Sequence, residues 1–355
     1  MSPLHLALTT LALTLWLPAC AHAHRDHHHH ATPVASLTDS AAPWRAALED
    51  FGRAGDPASL TVAREFEQAF VAAASRDGDL LYLAAWTAQA DHRFAVAADR
   101  AAQLQSVRPR WASTHLLSAG LALVAGDRAR AGQQCRRLEA VAVAVRLACQ
   151  LQAQQPLSAQ DYHRYRRALQ PVQSQAAPAG AEASMGWIAL VLGDAAVRAG
   201  LLEPAERQYR LALAAAPSVR ARTALAATLL QQDRPAAVLD LIHAGTPALG
   251  LQVKRLVAAR RLGRLADSMA TVGELLRAFD AQAQAGDFTH GREMAEFHLH
   301  VRNAPEAALR AIRGSLELQR EPEDLALWRE AQLASATRQH TQLQLQPGVY
   351  SNAQG

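Results

Sequence analysis

The stretch from Gly186 to Pro217 constrains the fold more than any other part of the chain. It sets Gly193, Ala196, Gly200, Ala205, Tyr209, Ala212 and Pro217 at spacings that two antiparallel helices can use. Gly193 and Ala196 let the helices approach closely, and Gly200 admits the tight turn between them. Ala205 and Ala212 thin one face of the second helix, Tyr209 fills the gap between units, and Pro217 stops the helix. Such a hairpin cannot bury its apolar face alone, so it implies neighbours stacked on both sides.

Other segments carry the same pattern with fewer matches. Gly78 to Pro109 has Leu81, Ala85, Ala88, Ala97, Ala101 and Leu104 at equivalent positions, and the next unit has Ala119, Ala122, a Gly126-Asp127 turn, Ala131 and Leu138. A weaker hairpin runs from Val145 to Leu169, with Pro156 at its turn and Tyr165 and Ala168 on its second helix. Leu225, Thr228, Asp233, Ala237 and Leu241 follow the best unit, then a hairpin turning at Gly263 and a last one around Met294, Pro305, Ala307 and Ala311. On these residues the chain resembles the tetratricopeptide-repeat family from about 58 to 338. The resemblance implies an all-α, right-handed α-solenoid of stacked helix hairpins and a role in binding another protein or peptide. A generic helical repeat is the alternative.

Composition agrees. Alanine is about a fifth of the chain, Leu, Arg, Gln and Glu supply much of the rest, and these are strong helix formers. No period-two run suggests a strand. Two repeat blocks are expected, 58–169 and 185–338, with the Ala/Gly/Pro/Gln-rich 170–184 as loop or hinge and 339–355 as a disordered tail.

The first residues read as an export signal. Leu4 to Leu17 is an uncharged apolar run, too short to span a membrane, followed by the small-x-small site Ala21-His22-Ala23. Cleavage after Ala23 gives a periplasmic or secreted protein. Leu17-Pro18-Ala19-Cys20 resembles a lipoprotein box, and cleavage there would lipidate Cys20 and anchor the protein at an outer membrane. No second apolar segment offers a membrane span. Cys135 and Cys149 then remain, on either side of a turn near Val141 to Val143, where an oxidising compartment favours a disulfide. Two buried free thiols would pack as well.

Residues 24–57 are expected to be a His-rich disordered segment and linker. His24, His27, His28, His29 and His30 could hold Zn, Ni or Cu loosely, which makes a metal-handling accessory protein the second reading. No other cofactor is expected. His290, His298 and His300 are spaced too widely on a helix to share one ion. Enzyme signatures are missing. There is no Gly-x-Ser-x-Gly elbow or His-Glu-x-x-His helix, and the single lysine, Lys254, lies in no phosphate loop. The net charge of +4 is carried by arginines that read as scattered among acids, without a nucleic-acid footprint.

In the tetratricopeptide family the first helix of each hairpin lines a concave groove. The resemblance therefore implies groove positions at Tyr82, Trp86, Trp187, Asp194, Arg198, Arg222, Arg260, Arg261, Arg292 and Glu296. Arg198 and Arg222 would hold a carboxylate of an extended segment.

Overall fold

The computed structural model describes residues 41–73, 76–138, 143–174 and 182–344. The N-terminal run with Cys20 and His24 to His30 lies outside these residues. Every regular element among them is helical, and the helices pair into hairpins. The pairs are α1 (Ala41–Ala54) with α2 (Pro57–Ala72), α3 (Gly78–Ala90) with α4 (Phe94–Val107), and α5 (Ala112–Val124) with α6 (Arg128–Arg136). Next come α7 (Val143–Ala153) with α8 (Ala159–Ser174), α9 (Glu182–Arg198) with α10 (Leu202–Ala215), and α11 (Val219–Gln231) with α12 (Pro235–Leu241). The chain continues through α13 (Leu249–Arg261), α14 (Met269–Gln284), α15 (Gly291–Glu296) with a π-helical turn at Phe297–Val301, α16 (Pro305–Leu318) and α17 (Pro322–Gln344). The described residues up to Lys254 and those from Arg255 onward form two compact units.

The hairpin turns repeat one geometry. A residue with positive φ sits at Gly55, His92, Gly126, Gly200, Asp233, Gly263 and Asn303. At five of them a backbone N–H reaches the carbonyl five residues back: Arg93 to Ala88, Asp127 to Ala122, Leu201 to Ala196, Arg234 to Leu229 and Arg264 to Ala259. This left-handed closure satisfies carbonyls that the helix end would leave bare. Ala88 and Ala122 are 34 residues apart, the length of a tetratricopeptide unit. The α7–α8 turn departs from the pattern, with a cis Gln155–Pro156 bond.

The central hairpin shows why small residues were needed. A Cβ on Gly193 would lie 2.4 Å from the Tyr209 ring, so that ring fills the space above Gly193 within the hairpin and not, as the spacing suggested, a gap between units. Ala196, Ala205 and Ala212 are buried to 2% exposure or less. Gly193→Ala should destabilise the first unit by about 1–3 kcal/mol through overpacking. Denaturant titration checks this, and a midpoint equal to that of the parent would contradict the register.

Three expected boundaries move. α1 lies inside the stretch read as linker, where Trp44 and Leu48 are each 1% exposed and the helix packs on α2 and α3. α8 and α9 run into the expected 170–184 hinge from both sides and pack on each other, so the described part of that segment belongs to the array. α17 continues to Gln344, into the expected tail.

The first helices of the first unit also meet in sequence: α1 with α3, α3 with α5, α5 with α7, α7 with α9, and α9 with α11. α11 in turn meets α1, so the row returns on itself. Gly55 makes the return tight. Its φ is +71°, and an added Cβ would stand 2.6 Å from the Ala248 Cβ and 3.2 Å from Val219 Cγ2. The consequence is burial on every side. α3 is buried from Leu80 through Ala88, α5 from Ser113 through Ala122, and α9 at nearly every position from Ala183 to Ala196.

Candidate interaction surfaces

The groove positions implied by the resemblance fall into three groups. Tyr82, Trp86 and Trp187 are 1%, 5% and 4% exposed, so in this conformation they are core residues and line no open surface. Tyr82 sits edge-on to Trp111 at 5.4 Å and tilted to Trp86 at 6.1 Å. Burial pushes its phenol well above the ordinary tyrosine value. Nearby, Trp44 Nε1 donates to Thr87 Oγ1 at 2.8 Å. The physical reason is the return of the row of first helices, which leaves no free side where an open array would have one.

The second group is polar and occupied in bracing the fold. Arg198 donates to the carbonyls of Leu151, Gln152 and Gln154 at 2.9–3.2 Å, satisfying the C-terminal end of α7. Asp194 accepts from the Tyr209 hydroxyl at 2.8 Å and from Arg220 at 3.1 Å. In the second unit Arg260 donates to the Val301 carbonyl. Arg292 there forks onto Asp324, with bonds of 2.6 and 2.8 Å, and reaches Glu321 at 2.7 Å. The third group is Arg222 and Glu296, both half-buried, and Arg261, which is exposed. The Arg222 side chain makes no ion pair or hydrogen bond among the described residues, while the Arg198 guanidinium is spent on carbonyls.

Cys135 and Cys149 form a disulfide with Cα atoms 5.5 Å apart, tying α6 to α7. A cleft of about 480 Å³ lies between α2 and the α3–α4 turn, lined by Arg64, Glu67, Gln68, Val71, Asp91 and Arg93. Its charges are mutually paired: Arg64 and Arg93 both bind Asp91, and Arg93 also binds Glu67. These bonds outweigh burial and hold the Asp91 carboxyl below its ordinary range. No group of three or more His, Cys, Asp and Glu among the described residues could hold a metal ion. No helix among them is long and apolar enough to cross a membrane.

His298 lies in the π-helical turn, 8% exposed, against Phe279 and Phe297. Burial lowers its pKa, with Arg302 and Arg310 acting in the same direction and Asp280 opposing them. The unfolded chain therefore binds this proton more readily than the folded one. The contribution is whole above an ordinary histidine value of about 6.5 and is lost as pH falls below it. Thermal melts from pH 7.5 to 5 should show that loss shrinking in His298→Phe, and an identical slope in both proteins would contradict it.

The arginines do not interleave with acids everywhere. Residues 128–174 hold eight arginines against Glu139 and Asp161. Of the chain's 36 basic and 32 acidic residues, 28 and 30 lie outside that stretch, so it carries more than the whole positive excess. Arg130, Arg136, Arg137, Arg166 and Arg167 are exposed there. A local count of acids, rather than a search for motifs, is the signal that finds them.

No protein-family model matches the chain, and no curated protein matches it. Among solved structures the chain is similar to the crystal structure of the APC/C hetero-tetramer Cut9–Hcn1, at 11% identity and a TM-score of 0.40. That likeness covers 81% of this chain and spans about half, 48%, of the other. The fold described above rests on this chain's own hairpins.

Proposed function

We propose that the chain is an exported, non-catalytic scaffold that binds another protein through its helix hairpins. The observation that supports this most is where the polar side chains go. Asp194, Arg198 and Arg292 are each spent on holding one helix to another, and the repeat leaves long outer helix faces in solvent. The second helices supply those faces; on α8 only Tyr162 and Leu169 are buried among the described side chains. Export follows from Leu4 to Ala23, with lipidation of Cys20 as the other outcome of processing.

Chemical cross-linking of the mature protein in envelope extract tests the reading. One discrete adduct, competed by excess unlabelled protein and lost after unfolding, is the expected result. Absence of any competed adduct would contradict it. Metal capture by His24 and His27 to His30 is a separate proposal resting on the sequence, checked by Zn titration of a variant lacking them.

A further inference from the structure

We propose that the outer faces of α6 and α8 dock an acidic polypeptide segment, its carboxylates held by Arg130, Arg136, Arg137, Arg166 and Arg167. The inference rests on the scaffold reading and says which surface and which partner chemistry that scaffold uses. All five arginines are exposed, and none of their side chains makes an ion pair or hydrogen bond among the described residues.

What sets this part of the fold apart is its shortage of acids, two against eight arginines. Elsewhere several arginines are bound to acids of a neighbouring helix or turn: Arg64 to Asp91, Arg108 to Asp79, Arg234 to Glu206 and Arg292 to Asp324. Of the two acids in 128–174, Asp161 is already engaged, bonding Ser158 at the start of α8 and Arg164 at 2.8 Å. Glu139 lies outside the described residues. Arg136 and Arg137 close α6 immediately after Cys135, and the disulfide fixes that end of the helix against α7, on which α8 packs. Two arginine doublets are thus carried on consecutive second helices of one braced body. Arg207 on the next second helix is exposed as well, and it and Arg166 both act on the buried Tyr162 phenol, so the positive field extends to α10.

The chemistry favours a carboxylate partner. Guanidinium forks match carboxylates two bonds at a time, and the stretch contains no lysine. A single-stranded nucleic acid would want exposed aromatic faces to stack on. Here Tyr162 is 1% exposed and Tyr165 is half-buried beneath Arg164. A lipid surface would want apolar side chains to insert beside the charge, and Val143 is the exposed large apolar residue in this stretch among the described ones.

The test uses the full mature chain and a short fluorescent polyglutamate peptide, with binding read by anisotropy. Binding should weaken about tenfold between low ionic strength and about 0.15 M, where charges are screened beyond roughly 8 Å. Reversal of Arg136, Arg137, Arg166 and Arg167 to Glu should remove it. Reversal of Arg76, Arg277, Arg313 and Arg329, exposed arginines outside the stretch, should leave most of it. Helical spectra of both variants report on folding. Equal loss in the two variants, or no peptide binding at low salt, overturns the proposal. Binding of phosphatidylglycerol vesicles or a DNA oligonucleotide without the peptide overturns the choice of partner. A cross-linked protein partner that survives the patch reversal would sink this surface and leave the scaffold reading standing.

Discussion

Arg292→Ala should destabilise the second unit by on the order of 3 kcal/mol, because it strands a buried carboxylate. Asp324 is fully buried, and the Arg292 side chain is 27% exposed. The pair is held by two forked bonds, and Glu321 adds a third. Even beside the guanidinium, burial keeps the Asp324 carboxyl above its ordinary range. Without Arg292 it would have to take up a proton or draw water into the α15–α17 contact. Asp324→Ala in the Arg292→Ala background should therefore cost less than the sum of the two single changes. A double-mutant cycle by denaturant unfolding checks this. Additive losses, or an Arg292→Ala midpoint equal to that of the parent, would contradict the bracing role.

Reduction of the Cys135–Cys149 disulfide should lower the stability of the first unit by about 3 kcal/mol, the chain-entropy value for a loop of about 15 residues. The two cysteines are 14 positions apart. Both side chains are buried, at 1% and 2% exposure, so cleavage also leaves two thiols to pack where one bond was. Cys135→Ala with Cys149→Ala should reproduce the loss without reductant. Titration of the unfolded, unreduced protein should find no thiol from this pair, and two reactive thiols there would remove the premise.

Much of the fold was legible because its determinants are local. Gly193, Gly200 and Tyr209 fix a hairpin through contacts within one unit. Asp233 and Gly263 mark turns that need positive φ, and such residues announce themselves. The surface was less legible because it depends on contacts distant in sequence. No periodicity in α3 reveals that α11 returns to α1, or that Gly55 abuts Ala248. Tyr82, Trp86 and Trp187 therefore read as groove residues although they are core. α1 was missed although Pro43 in its first turn and Trp44, Ala47 and Leu48 on one face are ordinary helix signals, because it lies before the first segment that matches the repeat. Arg198 was placed on the correct helix, but its role depends on carbonyls more than 40 positions away.

Closure of the first helices from solvent is what directs partners to the outer faces. A cysteine scan along α3 from Leu81 to Ala88, with the native disulfide intact and Cys20 replaced, tests it most directly. Thiol labelling of the folded protein should be slow at every position, all of which are buried. Fast labelling at 82 and 86, with protection between them, would show an open stripe on α3. That result would restore a concave binding surface and contradict the closed arrangement.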